Sequence, residues 1–333
     1  MSTTIRTRTL GRTGLPVSEL GFGAWGIGGG AWGRGDDALS LAALEKALQL
    51  GVTFFDTAHA YGDGRSERLI AQAAKTLGLR KKITIATKIP PKNREWPARH
   101  NAPIREVFPK DWIIQCTEDS LRHLECDFID LQQLHVWSPQ WIQETDWIET
   151  LRDLQLAGKI RYLGVSINDH EPDTALELVR SGWIDAIQVI FNLFDQSPGV
   201  RLLPLAQEHH VGIIARCPFD EGGLTGTLRP DTTFARTDWR RDYFKGERLA
   251  ETVRRAEALR AEVGSDYETL AHTALQYVLS HKILSEPSVA TVIPGMRRPE
   301  HVDANARYAK GPAFTPELMK RIEPHAWSRN FYD

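Results

Sequence analysis

Three apolar runs of this chain end in groups able to handle a proton or a charge. One closes in Asp56-Thr57-Ala58-His59-Ala60-Tyr61-Gly62, the next in Ala86-Thr87-Lys88-Ile89-Pro90, and the third in Leu134-His135-Val136-Trp137. Each residue alone is ordinary, since a lysine or histidine at a strand end is usually solvated or structural. As neighbouring parallel strands, however, the runs would bring Asp56, Tyr61, Lys88 and His135 together. A carbonyl that accepts hydride gathers negative charge on oxygen. The Tyr61 hydroxyl could protonate that oxygen, although a free phenol ionises only near pH ~10. A Lys88 ammonium beside it would favour the phenolate and ease proton release. Asp56 would hold Lys88 and balance its charge, and His135 would orient the carbonyl through a hydrogen bond. Such a set has no reducing agent of its own, so a nicotinamide cofactor must bring the hydride.

The elements that would position these groups alternate along the chain. Strands are expected over 19–23, 53–57, 83–89, 128–134, 162–166, 186–191, 212–215 and 289–293. Helical spacing appears over 38–50, 66–77, 110–124, 141–156, 172–181, 202–209, 247–263 and 267–280. Eight strand–helix units are the arithmetic of an α/β fold of the (β/α)8 TIM barrel kind. The strands read as continuous apolar runs, which suits a sheet covered on both faces. A doubly wound open sheet would leave a second domain, and no linker marks such a boundary, so one domain over 1–333 is expected. Residues 7–18, with Gly11 and Gly14 near the turn, read as an N-terminal β-hairpin cap. Stretches 90–109, 191–200 and 218–245 are too long for simple connections. All three follow strand C-termini, the face on which barrel sites are built.

Composition excludes several classes. The 333 residues carry 41 Lys+Arg and 43 Asp+Glu, a net charge of -2, which does not suit a nucleic-acid binder that relies on bulk positive charge. No apolar run is long enough to span a membrane. The start, Met1-Ser2-Thr3-Thr4, has no apolar signal stretch, and Cys116, Cys126 and Cys217 form neither a disulfide framework nor a metal motif. A cytoplasmic protein without a membrane partner is therefore expected. No His-Glu-x-x-His or Cys-x-x-Cys pair is present, and no metal is expected. The 10 tryptophans are an excess that calls for a role.

The run Leu15-Pro16-Val17-Ser18-Glu19-Leu20-Gly21-Phe22-Gly23, the Asp56–Gly62 motif, Lys88, His135, Gly164-Val165-Ser166 and Ile293-Pro294-Gly295 occur in the order found in aldo-keto reductases. The resemblance extends from about Thr9 to about Tyr308. It implies a (β/α)8 barrel that binds NADP(H) extended across the strand C-termini and interconverts aldehydes or ketones with alcohols. NAD(H) remains an alternative. It makes Tyr61 the general acid–base, tuned by Lys88 and Asp56, with His135 orienting the carbonyl. It assigns the nicotinamide carboxamide to Ser166 and Gln188, with Asn168 as a second contact, and the nicotinamide ribose to Asp56. Arg216 stands where many relatives stack a tyrosine on the nicotinamide, and Trp25 and Pro218 fall beside the cofactor path. Gly222-Gly223-Leu224-Thr225-Gly226 resembles the loop that covers the pyrophosphate. That role also has a physical basis, because glycines let backbone N–H groups approach oxygens. Gly295, Met296 and His301 occupy the positions where NADP-preferring relatives grip the 2′-phosphate, Arg297 and Arg298 are expected to supply the positive charge instead, and Asn305 matches the adenine contact. Gly21 to Gly33 also fit a G-x-G-x-x-G spacing, but no helix opens directly on it, so a pocket loop is preferred.

The branch resembled is that of bacterial general-stress reductases and potassium-channel β-subunit-like proteins. A long C-terminal enclosing loop is not expected, so the substrate walls fall to Trp25, Trp32, His59, Trp96, Trp137 and Phe194, together with 218–245. The competing function is a cofactor-binding regulatory or channel-associated subunit with weak reductase activity. The substrate is a small carbonyl or alcohol, apolar or ring-shaped, and both monomer and homo-oligomer are compatible with the pattern.

Overall fold

Apolar runs without alternation need cover on both faces, and here they form a curled parallel sheet flanked by helices. The computed structural model describes residues 5–33 and 35–332, so the polar start at 1–4 lies outside the described residues. The strands are β1 (Thr7–Thr9), β2 (Pro16–Ser18), β3 (Phe22–Gly23), β4 (Phe54–Asp56), β5 (Thr84–Ile89), β6 (Ile129–Leu134), β7 (Ile160–Ser166), β8 (Ala186–Ile190), β9 (Gly212–Arg216), β10 (Lys282–Ile283), β11 (Glu286–Pro287) and β12 (Thr291–Val292). Eight of them pair in parallel in the order β12-β9-β8-β7-β6-β5-β4-β3. Parallel bridges Leu20–Val292 and Gly23–Gly295 join the two edges, with Gly21 N donating to Val292 O at 2.8 Å. The result is the expected (β/α)8 barrel.

The seam explains why the first and last strands are shorter than expected. A Cβ on Gly23 would stand 2.5 Å from the Ile293 carbonyl oxygen, so the two edges meet only over glycine. Two expected helices also break. Residues 141–156 divide into a 3-10 turn at Pro139–Gln143 and a helix at Asp146–Leu156, and 172–181 into a turn at Pro172–Ala175 and a helix at Leu176–Ser181. The helix expected from 267 begins at Leu270, where the Thr269 hydroxyl accepts from His272 N at 3.0 Å and caps it. The β10–β11 hairpin was not foreseen.

The N-terminal hairpin β1–β2 seals one end of the barrel. Leu10 and Val17 are fully buried against Phe54, Ala86, Leu131, Ala186 and Ile214. Each such side chain contributes roughly 1.5–3 kcal/mol through burial. Gly11 has φ 50, and a Cβ there would lie 2.3 Å from Gly212 N. Arg12 N donates to His210 O at 2.6 Å, and the Tyr162 hydroxyl donates to Thr13 O at 2.7 Å. Access from that end is closed, and the opposite rim is left to carry the site. There the register sets Gly23 beside Asp56, Lys88 beside Gln133, Ser166 beside Gln188 and Ile190 beside Arg216.

Candidate active site

Parallel pairing brings Asp56, at the end of β4, against Lys88 near the end of β5. The Lys88 ammonium donates to Asp56 Oδ1 at 2.6 Å and to the Thr57 carbonyl at 2.7 Å, and the two side chains are 0% and 3% exposed. The other carboxylate oxygen accepts from Gln188 Nε2 at 2.6 Å and from Gln133 Nε2 at 3.4 Å. Four strands thus contribute to one buried charge cluster. Burial pulls Lys88 below the usual ammonium range, while Asp56 acts to keep it protonated.

Tyr61 follows β4 in a tight turn in which its N–H donates to Ala58 O at 3.0 Å. Lys88 Nζ lies 5.1 Å from the centroid of its ring, and the His135 ring is 5.6 Å away at 71°. Burial holds the Tyr61 phenol well above its ordinary range; Asp56 adds to this and Arg216 opposes it. The phenol is therefore a proton carrier at neutral pH. The lowering expected from Lys88 does not prevail, because burial, reinforced by the Asp56 charge, favours the neutral phenol. His135 is pushed well below the ordinary imidazole range by burial and then by Lys88 and Arg216, so it is neutral. Its Nδ1 is enclosed without a partner, and the residue lines the cavity.

These groups open on a cavity of about 970 Å³ at the C-terminal rim. Trp25, Trp32, Asp56, Tyr61, Trp96 and His135 line it, as do Ser166, Asn168, Gln188, Arg216, Pro218, Thr225, Gly295, Arg297, His301 and Asn305. Trp25 stacks 6.3 Å from Tyr61, and Trp96 stands edge-on to His135 at 5.8 Å. Lys88 lies behind Tyr61, off the wall.

Three expected wall residues are elsewhere. Trp137 is fully buried in a row of indoles, 5.8 Å from Trp141 and 5.6 Å from Trp147, and its N–H donates to Thr174 O. Phe194 packs edge-on to Trp327 at 5.5 Å in the outer layer. His59 faces the helix Lys110–His123, 3.5 Å from Asp119 and beside Trp112. In the covering turn, Gly223, Leu224 and Gly226 are also off the wall. Leu224 is core, and Gly223 is packed so tightly that a Cβ would meet Thr252 at 2.7 Å. Gly222 and Thr225 are the members of that turn that face the cavity.

Asn168 lines the cavity and is also bonded within the protein. Its Oδ1 accepts from Ala98 N and Trp137 N, each at 3.3 Å, and its Nδ2 donates to Ala98 O and Glu171. That ties the 90–109 loop to the barrel and occupies the whole amide. The Ser166 hydroxyl donates to Gln188 Oε1 at 3.5 Å, and both residues line the cavity. Arg216 is fixed by Asp169 at 2.6 Å and by the Ile167 carbonyl at 3.2 Å. Its Nε is buried without a partner, and the Asp169 carboxylate keeps the guanidinium charged despite burial. Arg297 folds across Gly26, donates to Trp32 O at 3.0 Å, and stands near His301 and Asn305 at the start of the helix Pro299–Ala309.

The 218–245 stretch supplies wall residues as expected. Trp239 packs 5.3 Å from Trp25, an antiparallel bridge joins Trp32 to Asp238, and Trp239 N donates to Ala31 O at 2.9 Å. Loops 25–33 and 218–245 therefore meet over the cavity. The tail, expected to be too short to matter, also lines it through Phe331 and Tyr332.

A nicotinamide dinucleotide fits this donor set. The unpaired Arg216 Nε, the Ser166–Gln188 amide and hydroxyl, and the cationic end at Arg297 lie along one cleft. The model for the aldo/keto reductase family matches residues 19–326. An uncharacterised oxidoreductase, YqkF of Bacillus subtilis, is 30% identical, with 96% of each chain covered. A probable voltage-gated potassium channel β subunit of Arabidopsis thaliana is 27% identical over 95% of each chain. The solved aldo-keto reductase AKR11C1 from Bacillus halodurans, in its holo form, superposes with a TM-score of 0.74 at 28% identity, covering 97% of this chain and 96% of that one.

Proposed function

The chain belongs to the aldo-keto reductase family, enzymes that act on carbonyl substrates with a nicotinamide dinucleotide, and from that premise we propose how its residues divide the work. The observation that carries the proposal is the Asp56–Lys88 pair seated under Tyr61, with a neutral His135 against the same ring. When bound, the nicotinamide supplies the hydride. Tyr61 donates its phenolic proton to the carbonyl oxygen as that oxygen gains charge. The Lys88 ammonium, below the ring, stabilises the phenolate left behind, and Asp56 keeps Lys88 charged and placed. A ring N–H of neutral His135 donates to the carbonyl oxygen and sets its direction. In alcohol oxidation the same groups run in reverse, and Tyr61 must first lose its proton.

Ser166 and Gln188 hold the carboxamide, and Arg216 lies flat against the ring system. Arg297 and His301 receive the 2′-phosphate, which favours NADPH over NADH, and Asn305 meets the adenine. The walls formed by Trp25, Trp32, Trp96 and Trp239 favour a carbonyl compound with an apolar or ring-shaped body. Tyr61→Phe tests the assignment. Turnover on the best carbonyl substrate, followed by NADPH absorbance, is expected to fall at least ~100-fold, within the range for loss of a general acid. The dissociation constant for NADPH should stay within about twofold, because the hydroxyl is not among the assigned dinucleotide contacts. Unchanged turnover would remove Tyr61 from the chemistry.

A further inference from the structure

We propose that Arg329 and Tyr332, in the C-terminal tail, are positioning residues for the turn that covers the dinucleotide. The inference rests on the cofactor site assigned above. The turn after β9 is strained. Cys217, Asp220 and Glu221 have φ of 52, 47 and 54, and Gly222 follows at 109. Three non-glycine residues in the left-handed region within five positions persist only where their surroundings hold them there. Asp220 and Glu221 are 2% and 7% exposed, so two adjacent carboxylates are buried in this turn.

Their partners come largely from the other end of the chain. Arg329 forms an ion pair with Asp220 in which the two side chains are 4% and 3% exposed. The Tyr332 hydroxyl donates to Glu221 Oε1 at 2.7 Å, and Cys217 Sγ donates to the same oxygen at 3.1 Å. Within 218–245, Tyr243 adds a donor to Asp220 at 3.1 Å. The tail is itself anchored. Trp327 N donates to Phe194 O at 2.8 Å, and Arg248 Nη1 donates to Phe331 O at 3.0 Å. The Arg329 guanidinium sits 4.6 Å from the Trp327 ring and 5.2 Å from Phe194, and Tyr332 stacks 5.6 Å from Trp239.

Without Arg329, Asp220 would lose its cation while still buried beside a second carboxylate. The pair would then turn toward water and carry the turn with it. Asp220 Oδ2 also sets the space at Gly223, where a Cβ would stand 2.9 Å away, so moving the carboxylate moves the glycine backbone. Gly222 and Thr225 face the cavity from this same turn. The tail therefore controls how firmly the cover stays over a bound dinucleotide, a step that limits turnover in many enzymes.

The test uses the full chain with NADPH as probe. In Arg329→Ala, stopped-flow release of NADPH is expected to quicken about tenfold. The KM for the dinucleotide should rise by a similar factor, while the single-turnover rate of carbonyl reduction changes less than twofold. Arg329→Lys should recover most of the loss, and Tyr332→Phe should quicken release about threefold. Hydrogen exchange in peptide 217–226 of the ligand-free protein should be faster in Arg329→Ala and Tyr332→Phe. Unchanged exchange there overturns the clamp, even if Arg329→Ala folds poorly, because Tyr332→Phe removes a single hydroxyl. A wild type that binds neither NADPH nor NADH overturns the cofactor reading instead, and the exchange result still decides the clamp.

Discussion

The buried pair Asp56–Lys88 allows stability and chemistry to be separated in one double-mutant cycle. In Lys88→Met the stem is nearly preserved and the charge is lost. Asp56 keeps Gln188 at 2.6 Å and Gln133 at 3.4 Å, so its carboxylate stays partly satisfied. The expected loss is at the low end for breaking a buried pair, about 3 kcal/mol. In Asp56→Asn the lysine, with 0% exposure, retains the Thr57 carbonyl at 2.7 Å but no anion in contact. The new amide also sets its own N–H₂ against Gln188. That loss should reach about 5 kcal/mol. The double variant removes both charges and should be more stable than either single, within about 2 kcal/mol of wild type. Urea unfolding followed by tryptophan emission measures all four proteins, with an unchanged slope required for comparison. All three variants should be inactive. Losses that simply add in the double variant would refute the view that the pair is a mutually compensating unit.

Three further outcomes follow from the rim. Because burial holds His135 neutral well below the ordinary imidazole range, the rate of reduction should show no inflection near pH ~6.5 from this residue. Its folded pKa is depressed, so its contribution to stability is complete above the unfolded value and is lost as pH falls through the folded one. A ring-proton titration by NMR that moves near pH ~6.5 would contradict this. Tyr61 is shifted the other way, so reduction should keep its acid form through the ordinary phenol range, whereas alcohol oxidation should accelerate toward alkaline pH; matched profiles in both directions check it. Arg297→Ala should weaken NADPH about tenfold or more and NADH little, and equal effects in fluorescence titrations would remove Arg297 from the 2′-phosphate.

The strand ends were legible because parallel neighbours share a rim, so Asp56, Lys88 and His135 could be grouped before any geometry was known. Trp137 was misplaced for a local reason. A tryptophan just past a strand end looks like a pocket wall, yet Trp141 and Trp147 follow and pack edge-on against it in an outer layer. Asn168 was proposed as a carboxamide contact from the family resemblance, and its bonds to Ala98 and Trp137 were not legible because those partners come from other loops. The tail carried a readable signal in Trp327, Phe331 and Tyr332, an aromatic cluster that water disfavours. Its pairing with Asp220 spans a sequence separation of 109, and only the barrel's closure brings the two together.

Most of the indoles fall into two separate groups. Trp25, Trp32 and Trp239 crowd the mouth, with arginine guanidiniums over Trp32 at 4.9 and 5.4 Å. Trp137, Trp141, Trp147 and Trp183 run as a separate row through the helical layer, with 6.0 Å between the last two. Ligands entering the mouth are expected to quench the first set, whereas the second lines no part of the cavity. Occupancy of the mouth should thus be readable in tryptophan emission without any label.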